Sequence, residues 1–303
     1  MNKIFTTTAL STAIALTLTA CGGTEVSDGG VAGIGGSGYV SSGTVTGFGS
    51  VYVNGVKFET DSIVFDIDDS GSGSQDDLAI GMVVTVNGTV NEDGVTGTAD
   101  SISFDDQLQG PVSNITAADP DGENRSFTIL GTTVRINALD TVFDISGTIP
   151  GTSFSFNSIK DGDHVEVSGF FNDAGELIAT RLELKATSFT PGIDIVELKG
   201  TVTGFTDISA PFTLTGLTGI AIDASAAAID DLANGLSNGV AVEVKGTCSD
   251  ITCSTLNATR VEGQSGFGDA DKISVEGLVT DFVNSSNFKI NGISVDAVSY
   301  THL

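Results

Sequence analysis

Gly43-Thr44-Val45-Thr46-Gly47-Phe48 recurs letter for letter as Gly200-Thr201-Val202-Thr203-Gly204-Phe205. Gly277-Leu278-Val279-Thr280-Asp281-Phe282 is a close further copy, and Gly110-Pro111-Val112-Ser113-Asn114-Ile115 a weaker one. A second block, Gly81-Met82-Val83-Val84-Thr85-Val86-Asn87-Gly88, matches Gly162-Asp163-His164-Val165-Glu166-Val167-Ser168-Gly169 and Gly239-Val240-Ala241-Val242-Glu243-Val244-Lys245-Gly246. Two landmarks kept in the same order mark internal repeats, each one a supersecondary unit. The starts divide the chain into modules at 43–109, 110–199, 200–272 and 273–303. The last stops before its second block and is expected to be a truncated copy.

Each module reads as five strands. The opening Gly-x-Val-Thr-x-Phe segment is followed by a strand at Ser50-Val51-Tyr52-Val53, and Asn54-Gly55, a favoured hairpin dipeptide, turns it into Val56-Lys57-Phe58-Glu59. A connector ends in Leu78-Ala79-Ile80-Gly81, and the Val-rich block supplies the fourth strand. Asn91-Glu92-Asp93-Gly94 turns into a fifth through Ser101-Ile102-Ser103-Phe104. In the third module the connector, Ala224 to Leu236, carries Ile229, Leu232 and Leu236 at helical spacing, which predicts a helix. The expected fold is therefore all-β, with tandem small five-stranded OB-like barrels; small β-sandwiches are the alternative that the same alternation permits. Modules of about 65 to 90 residues lie near the size where one core is marginal, so neighbours are expected to pack on each other. Phe48, Phe58, Phe65, Phe205 and Phe282 are expected in the cores.

Near the start of the chain, Lys3 precedes an apolar Ala- and Thr-rich run from Ile4 to Leu18. That is a signal-peptide layout, and the run is too short for the ~20 residues of a spanning helix. Leu18-Thr19-Ala20-Cys21 resembles the bacterial lipobox, which implies a leader over 1–20, cleavage before Cys21 and a diacylglycerol on its thiol. Gly22 follows where sorting rules in two-membrane bacteria tend to place an Asp for inner retention, so the resemblance implies the outer membrane. Gly- and Ser-rich sequence continues to Ser42, and 21–42 is expected to be a flexible tether.

Twelve Lys and Arg stand against 39 Asp and Glu, a net charge of −27, and loss of Lys3 with the leader makes the chain more acidic still. Nucleic acid is excluded as a partner on this ground, because phosphate binding rests on Lys and Arg neutralising charge. An apolar fraction of 40% excludes wholesale disorder. The chain has no Trp and three Tyr, which weakens any aromatic platform for sugars or bases.

The Gly-x-Val-Thr-x-Phe start, the Asn-Gly hairpin, the Leu-x-x-Gly-x-x-Val-x-Val-x-Gly block and the lipobox together resemble bacterial lipoproteins with tandem copies of domain of unknown function 5666. The likeness spans nearly the whole chain after the leader. It implies no activity and transfers no catalytic residue. The second module departs most, with Pro111 in its first strand and a longer middle region around Ser146 to Asn157.

Cys248 and Cys253 flank the turn equivalent to Asn91–Gly94, and a hairpin-spanning disulfide is expected in an exported protein. Asp66, Asp68, Ser70, Gly71 and Asp77 follow the one, three, five, six and twelve spacing of a calcium loop. Asp replaces the bidentate Glu at the twelfth position, and a solvated acidic turn is the plainer reading. Asp119, Asp121, Gly122 and Glu123 form a shorter acidic loop. His164 is expected to point to solvent, and no Gly-x-Ser-x-Gly elbow accompanies it in a strand-to-helix setting, so no catalytic site is assigned. Val298 to Leu303 resembles adapter read-through, and the natural protein is expected to be longer. The favoured function is a non-catalytic envelope binding or scaffold protein, held to the membrane through Cys21 and meeting a protein or glycan partner. A calcium-dependent adhesion or matrix protein and a hydrolase with an unrecognised site are the alternatives.

Overall fold

The computed structural model describes residues 38–68, 72–147, 152–217, 219–264, 267 and 270–296, together with the backbone of 16–19. Cys21, the greater part of the leader and tether, Ser70 and the tail from 297 onward lie outside the described residues. Within them the fold is nearly all β, with one 3-10 turn at Gln75–Asp77.

In the first module, β2 (Tyr39–Gly47), β3 (Val51–Val53), β4 (Val56–Glu59), β5 (Val64–Ile67), β6 (Val83–Val90) and β7 (Thr96–Phe104) close a barrel. β2 pairs antiparallel with β3 and β3 with β4; β4 lies parallel to β7, which pairs antiparallel with β6, and β6 returns to β2. β5 continues the edge begun by β4, also parallel to β7. The third strand is thus broken into two pieces along one partner, and the ring runs first, second, third, fifth, fourth. This closed five-stranded arrangement is OB-like, as the strand count predicted, although the helix that also supported that expectation is absent from the described residues. Asn54 at φ 53 and Gly55 at φ 77 make the two-residue hairpin between β3 and β4.

The second module repeats the ring with β8 (Leu108–Ser113), β9 (Asn124–Ile129), β10 (Thr132–Asn137), β11 (Val142–Ile145), β12 (His164–Phe171) and β13 (Leu177–Ala186). The third does so with β14 (Ile195–Thr203), β15 (Thr213–Leu214), β16 (Ala221–Asp223), β17 (Ala228–Asp230), β18 (Ala241–Cys248) and β19 (Thr255–Gly263), closing through a bridge between Phe212 and Ile222. β20 (Lys272–Val275) then lies parallel to β2 of the first barrel, while β21 (Val279–Asn284), β22 (Asn287–Ile290) and β23 (Ile293–Val295) form a separate meander. The outer edge of β20 carries β1 (Leu16–Thr19), a strand that cleavage before Cys21 would remove.

The two repeated sequence blocks bond to each other. Val45 N–H donates to Met82 O and Gly81 N–H to Val45 O; Val112 exchanges the same pair with Asp163 and Gly162, and Val202 with Val240 and Gly239. Gly81, Gly162 and Gly239 sit at φ 90, 89 and 88, a region L side chains rarely enter. The closing glycines serve a different need. The register slips at Gly88, Gly169 and Gly246, and a Cβ there would lie 2.2 Å from the carbonyl oxygen of Thr98, Ile178 or Asn257. The block begins with a left-handed turn and ends in a bulge, so both glycines are dictated by backbone.

Three expectations need correction here. The segment Ala224–Leu236 is not helical: Ala228–Asp230 is β17, paired with the free edge of β19, whose peptide groups need partners. Asp231 at φ 50 and Gly235 at φ 73 then turn the chain. The first strand starts at Tyr39, inside the expected tether, with Ser41 and Ser42 buried between β6 and β20. The corresponding strand of the other barrels also begins upstream of the repeated glycine, at Leu108 and Ile195. Phe58 and Phe65 are buried and Phe205 packs against the core, but Phe48, just past the end of β2, and Phe282, in the separate meander, are exposed. Pro111 removes no ladder bond. Its counterpart Thr44 directs its N–H to the side chain of Glu276 rather than to a neighbouring strand.

Candidate binding cleft and buried charge seam

The second and third barrels share a sheet. The first-strand halves ahead of the repeated glycines pair antiparallel, Gln109 opposite Glu197 and Leu108 opposite Leu198, joining the two rings edge to edge. The outward faces of β12, β14 and β18 are covered where the barrels meet, so their polar residues are buried along with the apolar ones. Every residue from His164 to Phe170 is buried, as are Val196-Glu197-Leu198 and Val242-Glu243-Val244.

His164 therefore does not point to solvent. It is 3% exposed, its Nε2 lies 2.8 Å from Ile195 O in the third barrel's first strand, and its ring meets Phe189 edge to face at 5.4 Å. Burial, opposed by Asp194, lowers its pKa. A neutral, bonded imidazole clipped between two barrels is a structural residue with no open side for a substrate. The sequence expectation failed because alternation defines two faces of a strand but not what covers the second.

Around this joint the carboxylates exceed the cations. Lys199 Nζ stands 3.0 Å from Glu243 Oε2, and Lys245 Nζ 2.9 Å from Glu197 Oε2. Asp106 and Glu243 both come within side-chain hydrogen-bonding reach of Glu197. Burial, reinforced by Glu197 and Glu166, pushes Asp106 well up; burial likewise lifts Glu243 to about 7 against the pull of Lys199. Burial would lower Lys199, but Glu243 foremost, then Asp105, Glu197 and Asp106, outweigh it and raise its pKa. A second seam on barrel two pairs Lys185 with Glu166 at 2.8 Å and Arg181 with Glu183 at 3.0 Å. Arg181 also donates to Ile80 O and Thr180 Oγ1 to Gly81 O, fastening the first barrel to the second.

Between the first and third barrels lies a cavity of about 820 Å³. Thr85 and Asn87 of β6, Ser103 of β7 and Gln107 of the linker form one side; Lys199, Glu243, Glu262 and Gln264 form the other. Phe267, Ile273 and Ile293 supply an apolar end. Hydroxyls, amides and charged groups dominate the walls, which suits a polar ligand group more than a fatty or aromatic one. None of these residues stands out in the sequence, since the site exists only where two modules face each other.

The cysteine expectation holds: Cys248 and Cys253 are disulfide-linked with Cα atoms 4.8 Å apart, and both are buried. The calcium-loop residues are placed less favourably. Asp66 is in β5 opposite Ser103, and Asp77 accepts from the N–H and Oγ of Ser74 in a capping box. Asp68 follows at φ 51, and Ser70 lies outside the described residues. No group of three or more metal-binding side chains is gathered among the described residues. Asp119 of the shorter acidic loop accepts from the N–H of Glu123 and Asn124, a turn-capping role.

The fold and joint define a class: a row of closed OB-like barrels, the second and third fused edge to edge with charge buried where they meet. Residues 37–103 and 109–183 each match a domain of unknown function, DUF5666, consistent with tandem repeats of that domain in the first two barrels. The matches begin within two residues of Tyr39 and Leu108, where the first strands begin. No curated protein matches the chain.

Proposed function

We propose that this is an exported, lipid-anchored, non-catalytic binding protein of the bacterial envelope. Cys21 carries the lipid, the outer membrane is the address, and the cleft between the first and third barrels receives a polar group of a protein or glycan partner. The cavity of about 820 Å³ carries this reading, because its hydroxyl and amide lining can exchange hydrogen bonds with such a group. The hydrolase alternative loses its histidine, which is buried and bonded at the joint. Calcium-dependent adhesion loses support from Asp77, whose carboxylate is committed to its cap.

A photo-cross-linking residue at Asn87, inside the cleft, tests the reading in intact cells. A discrete adduct is expected there and not from Leu139, which is 77% exposed on barrel two. Equal labelling at both positions, or none at Asn87, overturns it.

A further inference from the structure

Three buried oxygens at the joint between the second and third barrels have no hydrogen-bond partner: Asp106 Oδ1, Glu197 Oε1 and Glu243 Oε1. Their residues are 1%, 1% and 6% exposed, so water does not compensate for them from the surface. A native structure rarely leaves such atoms unmatched, and three at one place call for a common cause. Glu197 and Glu243 are diagonal neighbours on one face of the paired strands β14 and β18, Glu197 opposite Lys245 and Glu243 opposite Lys199, and Asp106 approaches Glu197 from the linker. Carboxylates cannot bond to each other, but a protonated acid can donate to a carboxylate.

We infer that Asp106, Glu197 and Glu243 form a proton-held latch, in which acid protons on Asp106 and Glu243 are donated to the Glu197 carboxylate and fasten barrel two to barrel three. The charges facing the cluster agree. Glu197 and Lys199 come from β14, Glu243 and Lys245 from β18, and Asp105 and Asp106 from the linker between the first two barrels. Glu166, itself raised by burial against the pull of Lys185 of β13, approaches Asp106 from β12, and Glu262 of β19, ion-paired with Arg260, stands opposite Glu243 in register. With all three carboxyls ionised, Lys199 and Lys245 cannot neutralise them, and an uncompensated buried charge is strongly disfavoured. Lys245 Nζ donates to Glu197 Oε2, and in the latch Glu197 Oε1 is the acceptor for Asp106 and Glu243.

The latch belongs to the joint, because Asp106 precedes β8 while Glu197 and Glu243 lie in the third barrel. Its protons sit in the folded state above the pH at which free carboxyls lose them. Stability and docking from this cluster are therefore full below the ordinary carboxyl range, decline as pH rises above it, and are lost as pH passes through neutrality, where Glu243 titrates at about 7. His164 works in the opposite sense. Its lowered pKa favours the fold above its ordinary value and costs stability below it, so the latch is read from the difference between wild type and variants.

Carboxyl NMR titration of the exported protein tests this directly. Two side-chain carboxyls are expected to titrate far above the usual range, one of them near neutrality, and Asp106→Asn and Glu243→Gln should each remove one. Corrected hydrogen-exchange protection of the β14 amides should fall in wild type between about pH 5.5 and about pH 8.5. In the amide variants, whose N–H donors do not titrate, that dependence should flatten. If every carboxyl titrates below about pH 5, or the variants keep the wild-type dependence, the inference is overturned. Should a variant fail to fold, the wild-type titration alone decides.

Discussion

At the scale of single residues, the repeated glycines explain why the sequence repeats are visible at all. Gly169 faces Ile178 O at a distance no Cβ tolerates, so Gly169→Ala should cost roughly 2–4 kcal/mol, as strain in a packed interior does. Urea unfolding would measure it. Gly94, at φ 71 with open space around it, is the control; alanine there should cost about 1 kcal/mol, from backbone conformation alone. Equal losses at both positions would contradict the close-approach reading. The disulfide closes a short turn, and a Cys248→Ser, Cys253→Ser double variant should lose about 2 kcal/mol by chain entropy. Both sulfurs are buried, so the serine hydroxyls add a desolvation cost; a Cys→Ala pair separates the two effects. These glycines and the cysteine pair were legible in the sequence. The reason for the glycines was not, since a bulge is a relation between two strands.

At the scale of elements, the instructive case is β12. Its sequence, His164-Val165-Glu166-Val167-Ser168, alternates polar and apolar as a half-exposed strand does, yet all five residues are buried. The inner face fills the barrel and the outer face meets the neighbouring barrel. His164→Ala should therefore destabilise the joint by about 1–3 kcal/mol, through loss of its bond to Ile195 O and its contact with Phe189. Differential scanning calorimetry would show it as the second and third barrels unfolding separately. A single unchanged transition would count against His164 as an inter-barrel clip. The Ala-rich segment after Asp223 gives the complementary lesson. Its helical spacing was real, but β19 offered a free row of peptide groups, and pairing with it satisfied more backbone than an isolated turn of helix would.

At the scale of the whole molecule, one edge is reused: it joins barrel two to barrel three and carries β20 on barrel one. The half of each first strand ahead of the repeated glycine is left free by the second strand, and another first strand occupies it: β14 on β8 and β20 on β2. Glu197→Pro, placed where β14 meets β8, should break this joint while leaving the first barrel intact. Limited proteolysis would then cut between barrels two and three, releasing the disulfide-bearing fragment; resistance equal to wild type would refute the joint. On the membrane side, a Cys21→Ser chain should leave the membrane fraction and lose palmitate labelling. Retention of both would remove the lipid anchor from the proposed function.

The sequence by itself determined the repeats, the strands, the hairpin turns, the disulfide and the acidic character, because each of these is set within one module by local spacing and residue chemistry. It also carried the OB-like ring as an expectation, through strand count and a connector helix that the structure replaces with a strand. Only the tertiary structure decided what the outer faces do. Whether a polar residue on a barrel wall meets water, a cleft or a second barrel depends on how modules dock, and that docking turns Asp106, His164, Glu197 and Glu243 from apparent surface residues into the buried polar interior of a joint.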